Sequence, residues 1–481
     1  MRVAIIGGGI AGLAAAYELE QARRTGVPIE YELFEAGPRL GGVISSSVVD
    51  GTVIERGPDS FLTEKPAAAE LCRELGLEAS LAPSNDAQRK TFILVRNRLV
   101  ALPDGLMFLV PTKLLATALT PLFSWLTKIR MGLELLHPPR PHAGDESVAA
   151  LVKRHYGQEA VDRLADPLLS GIYGGDSGQL SASAVLPRLV EMEAKHGSLT
   201  RGMLAGMRTR RLAAAQAALE SDEEPPPPKP LFTTLRFGLQ QMVDALTARL
   251  DGGRLHLLAT VSAVERAGDG WRVVCCGAAL PFDAVVIATP AWAAAGMLRA
   301  ADGALSAELD AIPYSSSVTV NLVFDGADLD PLPEGFGFLV PAVEKRAMLA
   351  CTFIHRKFIG RTAAGKSVIR AFLGGAHNAA LLAESDVTLS SLVRRELMEI
   401  LHISAVPELV EVQRWPRAMA QYAVGHADRQ QRIKARLAAL PGLHLAGNAY
   451  DGIGISDCIR LGRGAARELA GRAKTVSAPV A

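Results

Sequence analysis

The sequence predicts an α/β fold that begins with a parallel strand, a tight turn, a helix and a second strand. The apolar run VAII at residues 3–6 leads into closely spaced glycines and an alanine-rich segment that ends near residue 20. An alternating strand with Ile29, Tyr31 and Leu33 follows and ends at Glu35. Period-two alternation predicts strands, and this order of elements is typical of a doubly wound parallel sheet.

The glycine-rich turn has the spacing of a dinucleotide site. Gly7, Gly9 and Gly12 follow the pattern Gly-x-Gly-x-x-Gly, which permits a tight turn, a close pyrophosphate and close helix packing. Free N–H groups at the helix N-terminus favour phosphate, and Glu35 stands where a carboxylate accepts ribose hydroxyls. The alternative is an ordinary glycine-rich turn. The residues expected to contact the dinucleotide here are Gly7, Gly8, Gly9, Ile10, Ala11, Gly12, Glu35 and Ala36.

The stretch GPRLGG at 37–42 places Arg39 and a flexible Gly41-Gly42 pair beside the same phosphates. Together with Glu35 and Ala36 it reads EAxxRxGG, which resembles the signature of the flavoprotein group of amine oxidases, phytoene desaturases and protoporphyrinogen oxidases. This resemblance implies FAD, held non-covalently, rather than NAD. The further residues it implies for FAD are Gly42, Val43, Gly447, Ile453, Gly454 and Ile455, with a helix starting near Ser456 or Asp457 as N-cap.

Four other stretches resemble the bacterial protoporphyrinogen and coproporphyrinogen oxidases. They are ERGPDSFLTEK at 55–65, LLSGIYGGDSGQLSASAVLPRL at 168–189, EAKHGSL at 193–199 and RWPRAMAQY at 414–422. The similarity spans nearly the whole chain, except a Pro-rich insert and the tail after about residue 472. It implies a heme-biosynthesis enzyme that removes six electrons from a porphyrinogen in three rounds, with dioxygen as acceptor and hydrogen peroxide as product. Coproporphyrinogen III and protoporphyrinogen IX both stay open as substrates.

The same resemblance implies roles for individual residues. Gly57, Pro58, Asp59 and Ser60 match the segment that passes close to the flavin, and Asp59 is the first candidate to accept a pyrrole N–H or a proton. The alternative for Asp59 is a turn cap. The remaining implied roles are a propionate partner for Lys65 (alternatively a solvated charge), backbone contact with the macrocycle at Gly174 and Gly175, adenine contact at Val261, and an aromatic contact with flavin at Trp415.

One position departs from the family pattern. Mitochondrial members carry an arginine just before the strand at 92–95, where it holds a propionate, and here Thr91 falls at about that position. Arg89 and Lys90 are near but out of phase. The departure fits the bacterial type, for which coproporphyrinogen III is often the substrate.

Composition excludes several function classes. The 481 residues carry a net charge of +1, so no global field attracts nucleic acid. Five scattered cysteines without a Cys-x-x-Cys pair argue for a reducing compartment, with no disulfide framework and no metal site. We therefore expect a cytoplasmic protein, and we leave a homodimer open.

Contact with a membrane surface also stays open. The apolar stretch from Leu114 to Thr127 contains Pro121 and is too short to span a bilayer. Aromatic residues next to cations favour a membrane surface, and here they are Phe108, Phe123 and Trp125 beside Lys113, Lys128 and Arg130. The alternative is a helical subdomain that packs its apolar face inward.

The predicted FAD domain is discontinuous. It comprises residues 1–65, 231–300 and 421–481, while residues 66–105 and 301–420 form a substrate domain with a mixed sheet and residues 106–225 an inserted helical domain. The tract SDEEPPPPKP at 221–230 is a surface linker. Helices are predicted at 66–80, 231–250 and 388–402, a hairpin at 91–102, and strands near 255–265, 271–276, 284–288, 314–325, 336–342, 347–354 and 367–374.

Two rival functions remain from the sequence. A flavin amine oxidase or a carotenoid desaturase would share the FAD-binding residues, but the first often shows an aromatic pair and the second a longer apolar tunnel. A non-catalytic, GDI-like binding protein would keep the dinucleotide fold without flavin chemistry. The intact Gly7, Gly9, Gly12, Glu35 and Arg39 argue against it.

Overall fold

The computed structural model describes residues 1–107, 109–139, 144–220, 229–329 and 332–477. Phe108 and most of the predicted linker at 221–230 lie outside the described residues. In chain order the strands are β1 Arg2–Ile6, β2 Glu30–Phe34, β3 Ser46–Val49, β4 Thr52–Glu55, β5 Phe61–Leu62, β6 Leu81–Pro83, β7 Thr91–Val95, β8 Arg98–Ala101, β9 Leu106–Met107, β10 Val110–Pro111, β11 Phe232–Leu235, β12 Leu255–His256, β13 Val261–Ala267, β14 Gly270–Cys275, β15 Ala278–Phe282, β16 Ala284–Ile287, β17 Tyr314–Asp325, β18 Gly337–Leu339, β19 Met348–Phe353, β20 Lys366–Gly374, β21 Leu409–Ala420 and β22 Leu443–Leu445.

The α-helices follow the same order. They are α1 Ile10–Arg24, α2 Ala67–Glu74, α3 Leu114–Leu119, α4 Trp125–Leu133, α5 Val148–Tyr156, α6 Gln158–Ala160, α7 Asp166–Tyr173, α8 Ala182–Val185, α9 Pro187–His196, α10 Leu199–Glu220, α11 Gln240–Thr247, α12 Ala291–Leu298, α13 Gly303–Asp310, α14 Ile354–Lys357, α15 Asp386–Leu401, α16 His426–Ala438 and α17 Ile455–Ser477.

A five-stranded parallel sheet unites the three predicted parts of the FAD domain. Its order is β12-β2-β1-β16-β22, so strands from the N-terminus, the middle and the C-terminus of the chain lie side by side. Ile5 of β1 pairs with Leu33 on one side and Val286 on the other. The predicted discontinuous α/β fold is confirmed at this sheet.

Both faces of the sheet are covered, which explains why its strands are apolar throughout. Val3 and Ile5 point into a core shared with α1, α11 and α17. Ala4 and Ile6 point the other way, into a core shared with α12 and the antiparallel sheet β13-β14-β15.

A seven-stranded mixed sheet has the order β21-β17-β20-β19-β18-β7-β8, and its strands come from the two segments predicted for the substrate domain. One face packs on α15. The other face carries polar residues toward the segment after β4. The Thr319 hydroxyl donates to the Arg56 carbonyl at 2.8 Å, and the Asn321 amide donates to the Glu55 carbonyl at 3.1 Å. These bonds fix the 55–60 segment over the sheet.

The helical region is held by a buried network that we call the clamp: Glu134, Arg154, His155 and Glu193. The fully buried Glu134 accepts hydrogen bonds from the Leu199 N–H at 2.6 Å, at the start of α10, and from His155 Nδ1 at 2.9 Å. His155 Nε2 lies 3.3 Å from Glu193, which also pairs with Arg154. None of the described helices is long and apolar enough to cross a bilayer.

Some predicted elements are confirmed and others are wrong. The hairpin at 91–102 is confirmed, with Arg96 and Asn97 at positive φ in its turn. The helix predicted at 231–250 is wrong over its first residues, because 232–235 form β11 between β5 and β6. The helix predicted at 66–80 ends at Glu74. The long strand β21 was not predicted as an element.

Candidate active site

The carboxyl ends of the parallel strands define the site. β1 lies between β2 and β16, so the connections leave β1 in opposite directions and open a crevice at its end. Ligands of doubly wound sheets bind in such a crevice. Gly7 follows β1 directly, and a Cβ at Gly12 would overlap the Gly7 carbonyl oxygen, so the first helical turn packs tightly against the end of the strand.

The N-terminus of α1 is open to a phosphate. Its N-cap is Gly9, which offers no side-chain cap, and its first turn holds no acidic residue. The first N–H groups of any helix have no acceptor within the helix. Ile10 and Ala11 lie in this first turn with their side chains buried, so their backbone, rather than their side chains, faces the crevice.

Glu35 stands at the end of β2 beside the same loop. Its carboxylate accepts from the N–H groups of Gly8 at 2.6 Å and Gly37 at 2.7 Å, which fixes its orientation and leaves further lone pairs for a diol. The Ala259 N–H donates to the Glu35 carbonyl at 2.9 Å. This contact brings Val261, the first residue of β13, close to the predicted adenine end.

The GPRLGG loop packs on the first glycine loop. The Gly41 N–H donates to the Gly8 carbonyl at 2.8 Å. Arg39 turns back onto its own loop and donates to the carbonyls of Gly42 at 2.6 Å and Ile44 at 3.0 Å. Burial, followed by the nearby Arg56 charge, lowers the pKa of Arg39. Arg39 therefore shapes the phosphate loop, and direct contact with phosphate stays a prediction.

The 57–60 segment lies between Val43 and the seven-stranded sheet. A Cβ at Gly57 would overlap the Val43 carbonyl oxygen, so only glycine permits this approach. Trp415 stands beside Gly57, and its indole N–H donates to the Arg56 carbonyl at 2.8 Å. The predicted flavin residues Gly57 and Trp415 are thus in one place.

Asp59 is the titratable side chain of this segment, and its surroundings shift its pKa. Lys357 Nζ lies 3.1 and 3.0 Å from its two oxygens, and the Ser60 hydroxyl donates to it at 2.7 Å. Burial raises the pKa of Asp59, but the charges of Lys357 and Arg370 outweigh burial and hold it well below the usual range. The carboxylate stays ionised and accepts hydrogen bonds. Pro58 precedes it in the same turn.

The C-terminal loop follows β22, which lies beside β16 in the same parallel sheet as β1, and its contact with a cofactor stays a prediction. Gly447 follows β22, and the Tyr422 hydroxyl links the loop by donating to the Asn448 carbonyl at 3.0 Å and accepting from the Gly452 N–H at 2.9 Å. Ile453 and Gly454 complete the loop, and α17 begins at Ile455. The helix thus starts slightly earlier than predicted.

Lys65 has a partner within the chain. Its Nζ lies 2.6 Å from an oxygen of Asp457, in the first turn of α17, and its carbonyl accepts from the Ser456 hydroxyl at 3.0 Å. Asp457 also accepts from the Gly454 N–H at 3.2 Å. Asp457 therefore lies inside the helix rather than at the predicted N-cap, and Lys65 ties the 57–65 segment to the C-terminal loop.

Contacts within the chain explain why glycine stands at positions 174 and 175. Gly174 ends α7 with a φ of +57°, and a Cβ on Gly175 would overlap the side-chain oxygen of Gln421. The Ala376 N–H donates to the Gly174 carbonyl at 2.9 Å. The loop is therefore fixed against the substrate-domain sheet, and its contact with a macrocycle stays a prediction.

Sequence reasoning missed Lys357, Arg370 and Tyr422. Arg370 donates to the Gly57 carbonyl, although the two residues lie 313 positions apart. No local pattern marks such a partner. The five cysteines are all free. Separately, ligand atoms of Asp166, Asp176 and His377 lie within 4.8 Å of one another, a grouping that cysteine spacing could not reveal.

The residues fit a dinucleotide carrying a flavin ring. The uncapped helix start at Gly9 suits a phosphate and the oriented Glu35 carboxylate suits a ribose diol, while the contact of a ring with the Gly57 segment stays a prediction. The family described as flavin containing amine oxidoreductase matches residues 10–470. The chain belongs to this family, and it is an oxidoreductase with FAD as its cofactor.

Two relatives and one solved structure narrow the comparison. Coproporphyrinogen III oxidase of Bacillus subtilis (strain 168) is 34% identical over 472 residues, which cover 96% of each chain. Coproporphyrinogen III oxidase of Propionibacterium freudenreichii is also 34% identical, over 99% of this chain and 92% of its own. A crystal structure from Exiguobacterium sp. 255-15, provisionally assigned as a protoporphyrinogen oxidase, has a TM-score of 0.83 and 32% identity over 98% of this chain and 99% of its own.

Proposed function

We propose that this protein oxidises coproporphyrinogen III to coproporphyrin III in heme biosynthesis. The observation that carries the proposal is identity of 34% over nearly the full length of two coproporphyrinogen III oxidases. Six electrons and six protons leave the substrate in three rounds of two. Dioxygen accepts two electrons and two protons per round and leaves as hydrogen peroxide.

FAD, when bound, supplies the hydride acceptor. The residues of the chain position the reactants and exclude water from the site. The 57–60 segment, Trp415 and the 453–455 loop would hold the flavin ring, and the backbones of Gly57 and Val43 already lie too close together for a Cβ at position 57. The ionised Asp59 is proposed to accept a pyrrole N–H hydrogen bond, and its low pKa makes it a weak proton acceptor.

The proposed substrate side comprises Lys65 and the loop of Gly174 and Gly175. Lys65 is half exposed, so a propionate can compete with Asp457 for its ammonium group. At the position of the mitochondrial arginine, Thr91 begins β7, and the nearby Arg89 is exposed and 3.8 Å from Asp86. This arrangement supports a set of propionate-binding residues that differs from the mitochondrial set. It therefore supports coproporphyrinogen III as the substrate.

The test is anaerobic mixing of the purified holoenzyme with coproporphyrinogen III and, separately, with protoporphyrinogen IX. We expect rapid loss of the visible flavin absorbance with coproporphyrinogen III, and porphyrin fluorescence with hydrogen peroxide once air is admitted. Faster bleaching with protoporphyrinogen IX would mean that it, rather than coproporphyrinogen III, is the substrate. No bleaching with either substrate, despite bound FAD, would overturn the function and direct the search to amines and carotenoids.

We further propose that the surface of α3 and α4 contacts anionic membrane lipids. Leu126, Ile129 and Leu133 lie on one face of α4 and are 79%, 59% and 57% exposed, beside Trp125 at 72%. The Lys128 Nζ lies over the Trp125 ring, 4.4 Å from its centroid. An apolar helix face flanked by cations is typical of peripheral attachment. Leu115, Leu119 and Leu136 extend the exposed apolar surface.

The structure corrects one residue of the earlier expectation. Phe123 is buried, with 3% of its surface exposed, and packs inside the helical region. It takes no part in the proposed surface. Of the predicted cations, Arg130 donates to the Lys153 carbonyl of α5 at 3.0 Å, so Lys113 and Lys128 are the cations left for lipid headgroups.

Vesicle flotation tests the surface. We expect the protein to float with vesicles of mixed phosphatidylcholine and phosphatidylglycerol, and the variant Leu126→Glu to lose most of that binding. Leu212→Glu, at a 61% exposed leucine of α10, is the matched control and should float like the wild type. Equal flotation of Leu126→Glu and the wild type would contradict the proposal. A cytoplasmic location and a homodimer stay predictions.

A further inference from the structure

Five charged side chains lie together behind the 57–60 segment. We call them the 57–60 cluster: Glu55, Asp59, Lys357, Arg361 and Arg370. Glu55, Arg361 and Arg370 have at most 4% of their surface exposed, and the side chains of Asp59 and Lys357 are 13% and 11% exposed. They come from β4, the following loop, α14, the loop after it and β20, so the fold gathers them from distant parts of the chain.

Every member contacts the segment or another member. Lys357 bonds both oxygens of Asp59. Arg361 pairs with Glu55, and its Nη1 lies 3.5 Å from the Asp59 carbonyl. Arg370 donates to the Gly57 carbonyl. The charges are thus attached to the backbone that the flavin ring would face.

The cluster is not neutral. Three cations face two carboxylates, which leaves a net charge of +1. The Nε–H groups of Arg361 and Arg370 are buried and have no acceptor among the described residues. Asp59 stays ionised because Lys357 and Arg370 hold its pKa low against the effect of burial. The neighbouring pair of Arg56 and Glu411 is balanced and partly exposed, so it does not cancel the excess.

We propose that the 57–60 cluster raises the reduction potential of the bound flavin, and that Lys357 is the positioning residue that sets it. The inference rests on the proposed function, in which this segment lies against the ring. Accepting a hydride adds negative charge to the cofactor. A fixed positive charge in a buried, weakly screened place stabilises the reduced form over the oxidised form.

Two substitutions that break the same ion pair should move the potential in opposite directions. Lys357→Met removes a positive charge, and Asp59→Asn removes a negative one. In anaerobic titration of the holoenzyme against a redox dye, we expect Lys357→Met to lower the ratio of reduced to oxidised flavin by about tenfold at a fixed dye potential. Asp59→Asn should raise that ratio. A merely structural ion pair would shift both variants in the same direction.

Two further variants complete the experiment. Lys357→Arg keeps the charge and should keep the wild-type potential, and Glu411→Gln is the matched control, at the partly exposed pair, with a much smaller effect. If Lys357→Met does not retain FAD, Lys357→Gln gives the same loss of charge in a polar side chain. Shifts of one sign in the Lys357 and Asp59 variants, or no shift, would overturn the inference.

The two proposals fail in different ways. If the wild-type holoenzyme is bleached by a porphyrinogen but the variants show no opposed shifts, the cluster does not tune the flavin and the function stands. If no porphyrinogen reduces the wild type but the opposed shifts are observed, the tuning stands and the substrate is wrong.

Discussion

The clamp of the helical region and the 57–60 cluster are both buried ionic networks, yet they are built differently. In the clamp, Glu134 is bonded by backbone N–H groups, a hydroxyl and an imidazole, and both nitrogens of His155 have partners. In the 57–60 cluster, two guanidinium Nε–H groups lack acceptors among the described residues, and positive charge is in excess. Buried charges are costly unless they are fully paired.

The difference in hydrogen bonding distinguishes a network that stabilises the fold from one that serves a functional site. A network whose donors and acceptors are all satisfied stabilises a fold and needs nothing more. A network with unsatisfied donors violates the same rule, and such violations are expected at functional sites. The clamp therefore joins α9 and α10 to the rest of the helical region, whereas the 57–60 cluster prepares an electrostatic environment for a cofactor.

Breaking the clamp should give the largest loss of stability. Glu134→Ala removes the acceptor of the Leu199 N–H and the partner of His155, and we expect the free energy of unfolding to fall by about 3 kcal/mol. Urea unfolding followed by circular dichroism measures it, while the flavin spectrum of the folded fraction should not change. Glu191→Ala, at an exposed residue of the neighbouring α9, should stay within about 0.5 kcal/mol of the wild type. A similar small loss for Glu134→Ala would show that the clamp is dispensable.

A second test compares the clamp residue His155 with His426, a buried histidine of α16 beside the C-terminal loop. His155 is bonded at both nitrogens, but His426 Nδ1 has no partner in the described chain, and the ring stacks on Tyr422, which holds the C-terminal loop. Burial, followed by the charge of Arg429, lowers the pKa of His426 to about 4. A lowered histidine pKa means that protonation opposes folding. Above about pH 6.5 His426 is neutral in both states and costs no stability. As the pH falls from about 6.5 toward 4, the unfolded chain binds a proton that the folded chain does not, and the free energy of unfolding decreases.

The expected loss from His426 is about 3 kcal/mol between these limits. His426→Phe keeps a ring on Tyr422 and removes the proton site, so its stability should depend less on pH over that range. Denaturant unfolding at a series of pH values measures the difference. Identical pH slopes for the variant and the wild type would mean that His426 does not titrate there.

The smallest effect is expected where ionic contacts are exposed. Arg272 pairs across the strands with Glu265 at the edge of the β13-β14-β15 sheet and is half exposed. Solvent screens such pairs, so Arg272→Ala should change the free energy of unfolding by no more than about 0.5 kcal/mol. The same urea experiment checks it. A loss as large as that of Glu134→Ala would remove the distinction between buried and exposed networks.

The sequence was sufficient for the parts of the site that are local in the chain. The turn from Gly7 to Gly12 and the carboxylate of Glu35 belong to one strand-turn-helix-strand unit, and its spacing is dictated by backbone geometry. The C-terminal loop was found because a known family carries the same loop. Both have the backbone elements that the sequence predicts, while their contacts with a cofactor stay predictions.

Other features depend on contacts that no local pattern encodes. Residues 232–235 form a strand because β5 and β6 lie on either side, although the following residues are helical. Lys65 could be recognised as a charge, but its partner Asp457 lies 392 positions away. Lys357 gave no signal at all, since its role comes from the fold that brings α14 to Asp59.

The packing of α17 on α1 has a consequence for the order of assembly. A Cβ at Gly462 of α17 would overlap the carbonyl oxygen of Ala11, so the two helices touch through their backbones, and Glu18 of α1 pairs with Arg463 and Arg467. On the ribosome, the phosphate-binding helix is made first and its covering helix near the end of synthesis. The α17 side of α1 can therefore be covered only once nearly the whole chain has been made.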